Sequence, residues 1–139
     1  MDAEDVVHVL RNVHEALTPA GHVLDVHPTG ADAPVRAGDV GLGFVDQREF
    51  RPIVAHSDTS VDALVADGLF DDVRRVEREI VEVYEDAEEL FETADEWTNL
   101  RLRAPARRRV RAATPPFEVL WRVDFRLLRK RSARQRRPL

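Results

Sequence analysis

His22, Asp25 and His27 form the closest grouping of metal-ligating and proton-transferring side chains in the 139-residue chain. Imidazole and carboxylate together suit either a metal ion or an acid–base pair. The run His22-Val-Leu-Asp-Val-His27 reads as a strand, and alternate residues of a strand share a face. Asp25 and His27 therefore lie together, with His22 on the opposite side. Three ligands do not converge from one strand in this way, so no metal site is expected. His27 sits at the carboxyl end of the strand, where open α/β sheets hold their ligands, which makes it the catalytic candidate, either orienting a substrate or acting as general base. Asp25 and His27 are the substrate-binding candidates. His8 and His14 fall on one helical pattern and His56 on another, where surface or interhelical roles are expected. The chain has no cysteine, which excludes disulfides, thiolate metal sites and cysteine nucleophiles.

The second chemistry the residues offer is anion binding. Residues 1–100 carry 7 arginines against 24 carboxylates, a net charge of −17, whereas residues 101–139 carry 14 basic residues against 2 carboxylates, a net charge of +12. Arg107, Arg108, Arg109 and Arg111 are the candidates for an anionic partner such as nucleic acid. The competing reading is internal, with the basic segment attracted to the acidic body of its own chain or of a neighbour. Aromatic residues interleave with the arginines only as the stripe Phe117, Trp121 and Phe125, which is better suited to a core than to base stacking. Nucleic acid is therefore the lesser of the two expectations. The carboxylates between Glu77 and Glu96 read as a solvated acidic surface. No apolar stretch reaches the ~20 residues of a membrane span, and the N-terminus is acidic, so a soluble, cytoplasmic protein without membrane contact is expected.

These groups must be positioned by a short series of elements. Val6, Val9, Leu10, Val13 and Leu17 recur at helical spacing, giving a helix over residues 3–17 with Asp2 as its N-cap. Thr18-Pro-Ala-Gly21 ends it, and the apolar strand 22–27, expected to be buried on both faces, follows. Residues 28–43 are dense in glycine and proline and read as a long loop, with a small hairpin around Leu42–Val45. Within it, Gly38-Asp-Val-Gly-Leu-Gly43 has the look of a nucleotide loop but lacks the preceding strand and following helix, so a turn is expected. A helix over 47–66, closed by Gly68, and a strand over 73–84 come next. A helix over 87–97 follows, with Asp86 and Glu89 as a capping box. After a basic segment, Phe117–Leu127 alternates apolar with polar residues, the clearest strand signal in the chain. The tail 129–139 is expected to be disordered, leaving one folded domain over 1–128.

The order of these elements resembles the C-terminal half of class I S-adenosylmethionine-dependent methyltransferases. The passage carrying the resemblance is Leu10-Arg-Asn-Val-His-Glu-Ala-Leu17-Thr-Pro-Ala-Gly-His-Val-Leu-Asp-Val-His27, similar to the Leu-x-Pro-Gly-Gly turn between the family's fourth helix and fifth strand, with Ala20 in place of the first glycine. The resemblance implies an α/β fold with a small three-stranded mixed sheet, half of a Rossmann-like domain, with about three packed helices. Its strands would be ordered as the His22, Phe117 and Val73 strands. The glycine-rich turn and the ribose-binding acid of the family's first half have no counterpart here. The implied protein is a methyltransferase-like fragment, inactive alone or dependent on a partner, with no cofactor of its own. It would bind S-adenosylmethionine only if a partner supplied the missing half. The alternative is a dimerisation or scaffold module. In either case an exposed strand edge invites a homodimer or a complementing chain.

Overall fold

The computed structural model describes residues 3–132. Among them are four helices and six strands, in the order α1 (Ala3–Ala16), β1 (His22–Pro28), β2 (Ala33–Ala37), β3 (Val40–Asp46), α2 (Arg51–Ala66), β4 (Phe70–Tyr84), α3 (Ala87–Glu96), β5 (Arg101–Leu102), α4 (Ala104–Ala112) and β6 (Phe117–Lys130). The strands pair in the order β1-β6-β2-β3-β5, with β4 also on β6. Neighbouring strands are antiparallel, so the chain is α/β but its sheet is not the small three-stranded mixed sheet expected. The chain divides into two compact units: residues 1–27, 53–77 and 124–139 form the first, and 28–52 and 78–123 the second.

In the first unit the second half of β6 has β1 and the start of β4 as neighbours. Lys130 donates its backbone N–H to Gly21 and Arg131 donates to Leu69. Here the expected strand order holds, because β6 lies between β1 and β4. Helices α1 and α2 supply the apolar stripes that the sheet needs. Leu10, Val61, Leu64, Leu69, Phe70 and Leu128 form the core, with Val6, Leu17 and Val23 against it. Pro52 sits in the first turn of α2, where it lacks only an N–H that the helix would leave unpaired. This is why α2 begins at Arg51 and not at Gln47. Gly68, at φ 79°, donates to Val65 and closes the helix as expected. Strand β1 departs from expectation: His22, Leu24 and Val26 are exposed, and only the face of Val23, Asp25 and His27 is covered.

The second unit contains most of what the sequence concealed. The expected loop is a hairpin in which β2 and β3 pair from Ala33 with Val45 to Ala37 with Val40. Gly38 and Asp39 make its two-residue turn, with Gly38 at φ 57°. Gly43 has a different purpose: a Cβ there would lie 3.0 Å from the Ala106 side chain, so its absence lets α4 approach β3. The basic segment contains α4, whose Ala106 and Val110 are buried one turn apart and whose Pro105 again occupies the first turn. Helix α3 is capped as expected, with Asp86 accepting from the Glu89 N–H at 2.8 Å, while the Glu89 carboxylate accepts from the Glu85 N–H. Trp97 meets Trp121 edge-on at 5.4 Å, and Phe117 and Trp121 are buried, so these two members of the aromatic stripe belong to the core, while Phe125 is half-buried. Strand β6 continues to Lys130, past the expected domain end at 128. Residues 133–139 of the expected tail, and Asp2 as N-cap, lie outside the described residues.

Candidate functional site

The first unit gathers charged side chains on the covered face of its sheet. Asp25 and His27 do share a face of β1, as alternation requires, and their Oδ2 and Nδ1 atoms are 3.5 Å apart. On the other side of the ring, His27 Nε2 is 3.2 Å from Asp58 of α2 and 4.0 Å from Asp124 of β6. Arg75 of β4 completes the group. Its guanidinium donates twice to Asp124 Oδ2, the Nε contact being 2.7 Å, and once to Asp58 Oδ2 at 3.1 Å. Each of these elements arrives for its own reason: β1, β4 and β6 as neighbours in the sheet, and α2 because its Val61 and Leu64 dock on the core beside it.

Neither ring nitrogen of His27 is aligned for a true hydrogen bond, and both are buried, as are Asp25 Oδ2 and Asp58 Oδ1. The interaction is mainly one of neighbouring charges. Contact with Asp25 raises the His27 pKa above its ordinary value, burial opposes this, and the charges of Asp25, Asp58 and Asp124 reinforce it. Asp25 is held below the usual carboxylate range by His27, again against burial, with Arg126 and Arg75 contributing. The surroundings thus favour the imidazolium form of His27, which has three carboxylates within 4.0 Å.

Donor atoms of His27, Asp58 and Asp124 lie within 4.8 Å of one another, a spacing that a divalent ion could gather. The oxygen Asp124 would offer already accepts both Arg75 N–H groups, and Asp58 accepts a third. A metal ion would have to displace a guanidinium that already supplies positive charge there. The donor set therefore fits a charge-neutralised cluster better than a metal centre. Arg126 repeats the theme nearby. It is 3% exposed and its Nη2 is 2.7 Å from Asp62 and 2.8 Å from Asp72.

Sequence reasoning found Asp25 and His27 but missed Asp58, Asp124 and Arg75. Asp124 and Arg126 belong to the polar set that alternates with the aromatic stripe of β6, which suggests a solvent face. Both are buried instead, at 7% and 3% exposure. Nothing local in the sequence signals that α2 covers this face with its own carboxylates.

The anion-binding candidates lie together on α4 in the second unit. Arg107 donates to Asp95 at 2.7 Å and to the Leu102 carbonyl at 2.8 Å, and Arg107 and Arg111 both stack on Phe91. Arg108 and Arg109 are exposed. A cavity of about 530 Å³ is lined by Arg101, Arg103 and Arg107, but these arginines pair with Glu49, Asp46 and Asp95 respectively. Much of the basic charge is thus neutralised within the chain, in line with the internal reading of its asymmetry. Among the described residues no helix is long and apolar enough to cross a membrane. Compared with family models, curated proteins and solved structures, the chain matches none.

Proposed function

We propose that this chain is an assembly module that engages protein partners by strand addition along β4. The observation that carries this reading is the exposure of β4 itself: every residue from Glu77 to Val83 is exposed, so both faces of the strand are open over that stretch. Ile80, Val81 and Val83 are among them, at 40%, 43% and 59% exposure. The strand's one strand neighbour among the described residues is β6. A strand with an open row of backbone donors and acceptors is a template for another strand, a tendency that charge tempers; here Ile80, Val81 and Val83 share the stretch with Glu77, Arg78, Glu79 and Glu82. Strand β1 also has a single neighbour, the edge expected from the sequence, but it is short and ends in Pro28, which cannot donate.

Amide hydrogen exchange on the dilute chain tests this. The outward amides between Val76 and Tyr84 should exchange far faster than the β6 amides of Val119–Val123. Equal protection of the two strands would mean that the edge is already covered, and the reading would fail.

A second reading, a methyltransferase-like half dependent on a complementing chain, draws support from one observation. In the first unit β6 runs antiparallel between β1 and β4, the order that the resemblance implies. On that reading the isolated chain binds no S-adenosylmethionine, and clear calorimetric binding would overturn it. Fold order alone confers no activity.

A further inference from the structure

The cavity of about 530 Å³ lies wholly within the second unit and has the size of a small-ligand site. Trp97, Leu100 and Pro105 give it an apolar wall, and Asn99, Arg101 and Arg103 add polar groups. We infer that it binds a small ring-bearing oxyanion, a carboxylate or a phosphate monoester, with the anion held by Arg101 and Arg103 and the ring against Trp97.

The sign of the ligand follows from where the counter-charges stand. Among the described residues three arginines and one carboxylate, Asp95, line the cavity, an excess of positive charge within an acidic chain. Asp95 is already matched by Arg107, which donates to it at 2.7 Å and to the Leu102 carbonyl at 2.8 Å. The partners of the other two arginines, Glu49 and Asp46, are not lining residues. Arg101 and Arg103 reach them through Nε, at 3.2 and 2.8 Å. Each guanidinium thus keeps its pair of Nη groups, one of the edges with which arginine grips a carboxylate or phosphate. The Arg101–Glu49 pair is also exposed on both sides, so little holds it against rearrangement towards a ligand. A compact oxyanion can use these N–H groups while both carboxylates stay in place. Asn99 supplies the remaining polarity. Its backbone is left-handed, at φ 64°, which asparagine tolerates, and its side-chain amide hydrogen-bonds no described residue. An amide both donates and accepts, so Asn99 can serve the oxyanion or a substituent on the ring.

Titration of the full chain with benzoate and with phenyl phosphate, followed by heteronuclear NMR, tests this. Benzamide serves as the neutral counterpart and acetate as the anion without a ring. The Trp97 indole N–H and Asn99 side-chain signals should move saturably with benzoate or phenyl phosphate, and the tighter of the two tells carboxylate from phosphate. Benzamide and acetate should each bind about 10-fold more weakly than the tighter probe. Arg101→Gln and Arg103→Gln, at exposed positions, should each weaken binding about 5–10-fold, with circular dichroism confirming the fold. Glu49→Gln should tighten it about 2–3-fold, because a carboxylate that competes for Arg101 is gone. Asn99→Gly keeps the left-handed backbone, removes only the amide and should weaken binding about 2–5-fold. Arg108→Gln, exposed on α4 but outside the lining, should change nothing. No saturable shift up to about 10 mM of either ring-bearing anion overturns the inference. So does benzamide binding as tightly as the anions, weaker binding by Glu49→Gln, or a loss in Arg108→Gln as large as in Arg101→Gln. None of these results bears on the β4 edge, whose amide exchange is measured separately.

Discussion

Replacing Arg75 by methionine keeps an unbranched stem of similar length and removes only the guanidinium, which makes it the most direct probe of the charge cluster in the first unit. Asp124 is the critical group, because its side chain is 9% exposed and accepts two hydrogen bonds from Arg75. Without Arg75, Asp124 and Asp58 face one another with only His27 to neutralise them. Removing one partner of a fully buried ion pair costs about 3–5 kcal/mol, whereas an exposed pair contributes about 0–1 kcal/mol. Arg75 is 42% and Asp58 27% exposed, so water screens one side of the cluster and not the other. An intermediate loss of about 2 kcal/mol follows. For a chain of this size that lowers the melting temperature by roughly 6–10 °C. Urea denaturation at neutral pH measures the loss, and the double variant Arg75→Met/Asp124→Asn should recover part of it by removing the uncompensated charge. A loss below about 0.5 kcal/mol, or a double variant as unstable as the sum of its singles, would show that water already solvates Asp124 and that the cluster does not hold the unit together.

Two further outcomes follow from the same geometry. Because the folded-state pKa of His27 is raised, its contribution to stability is complete below its unfolded value near 6.5 and is lost as pH rises through the higher folded value; the depressed pKa of Asp25 contributes above 3.8 and is lost as pH falls through a still lower value. The parent's advantage over His27→Gln should therefore be greatest at mildly acidic pH and decline towards pH 8; an advantage that grows with pH contradicts this assignment of the charge. Ala20 adopts φ 61° in the turn after α1, a left-handed conformation that disfavours a side chain. Ala20→Gly should raise stability by about 0.5–1 kcal/mol in thermal or urea unfolding, and a loss instead would mean that the turn is not strained.

Long periodic segments were legible in the sequence, while short elements interrupted by glycine and proline were not. Strand β6 was readable because Phe117, Val119, Trp121, Val123, Phe125 and Leu127 alternate without interruption, and α1 and α3 because each has a clear stripe or a capping box. The β2–β3 hairpin was hidden by Pro34, Gly41 and Gly43. The last of these is a strand residue because α4 needs the space, a tertiary reason invisible in local pattern. Helix α4 was hidden because only Ala106 and Val110 mark its buried face and five arginines from Arg103 to Arg111 fill most of the rest. The candidate site was half legible: Asp25 and His27 follow from strand alternation. Asp58, Asp124 and Arg75 depend on which elements meet, and no spacing along the chain encodes that.

The charge asymmetry acquires a physical meaning from this arrangement. An acidic body and a basic C-terminal segment could seek separate partners, yet several described arginines after residue 100 return to carboxylates of their own unit: Arg126 to Asp62 and Asp72, Arg129 and Arg131 to Asp71, Arg103 to Asp46. Most of these pairs are partly exposed, so each contributes little to stability by itself. Their collective effect is on specificity. A nucleic acid competing for these arginines must first displace neutralising carboxylates that lie within 4 Å of them, and the charge left over is the acidic excess, which repels phosphate. Between Arg74 and Tyr84 the charges of strand β4 are balanced in number, and Ile80, Val81 and Val83 face solvent. A charge-balanced, edge-exposed strand within an acidic molecule favours association by backbone pairing over net electrostatic attraction. Assembly along β4 should consequently persist at high salt, while any residual anion binding should not.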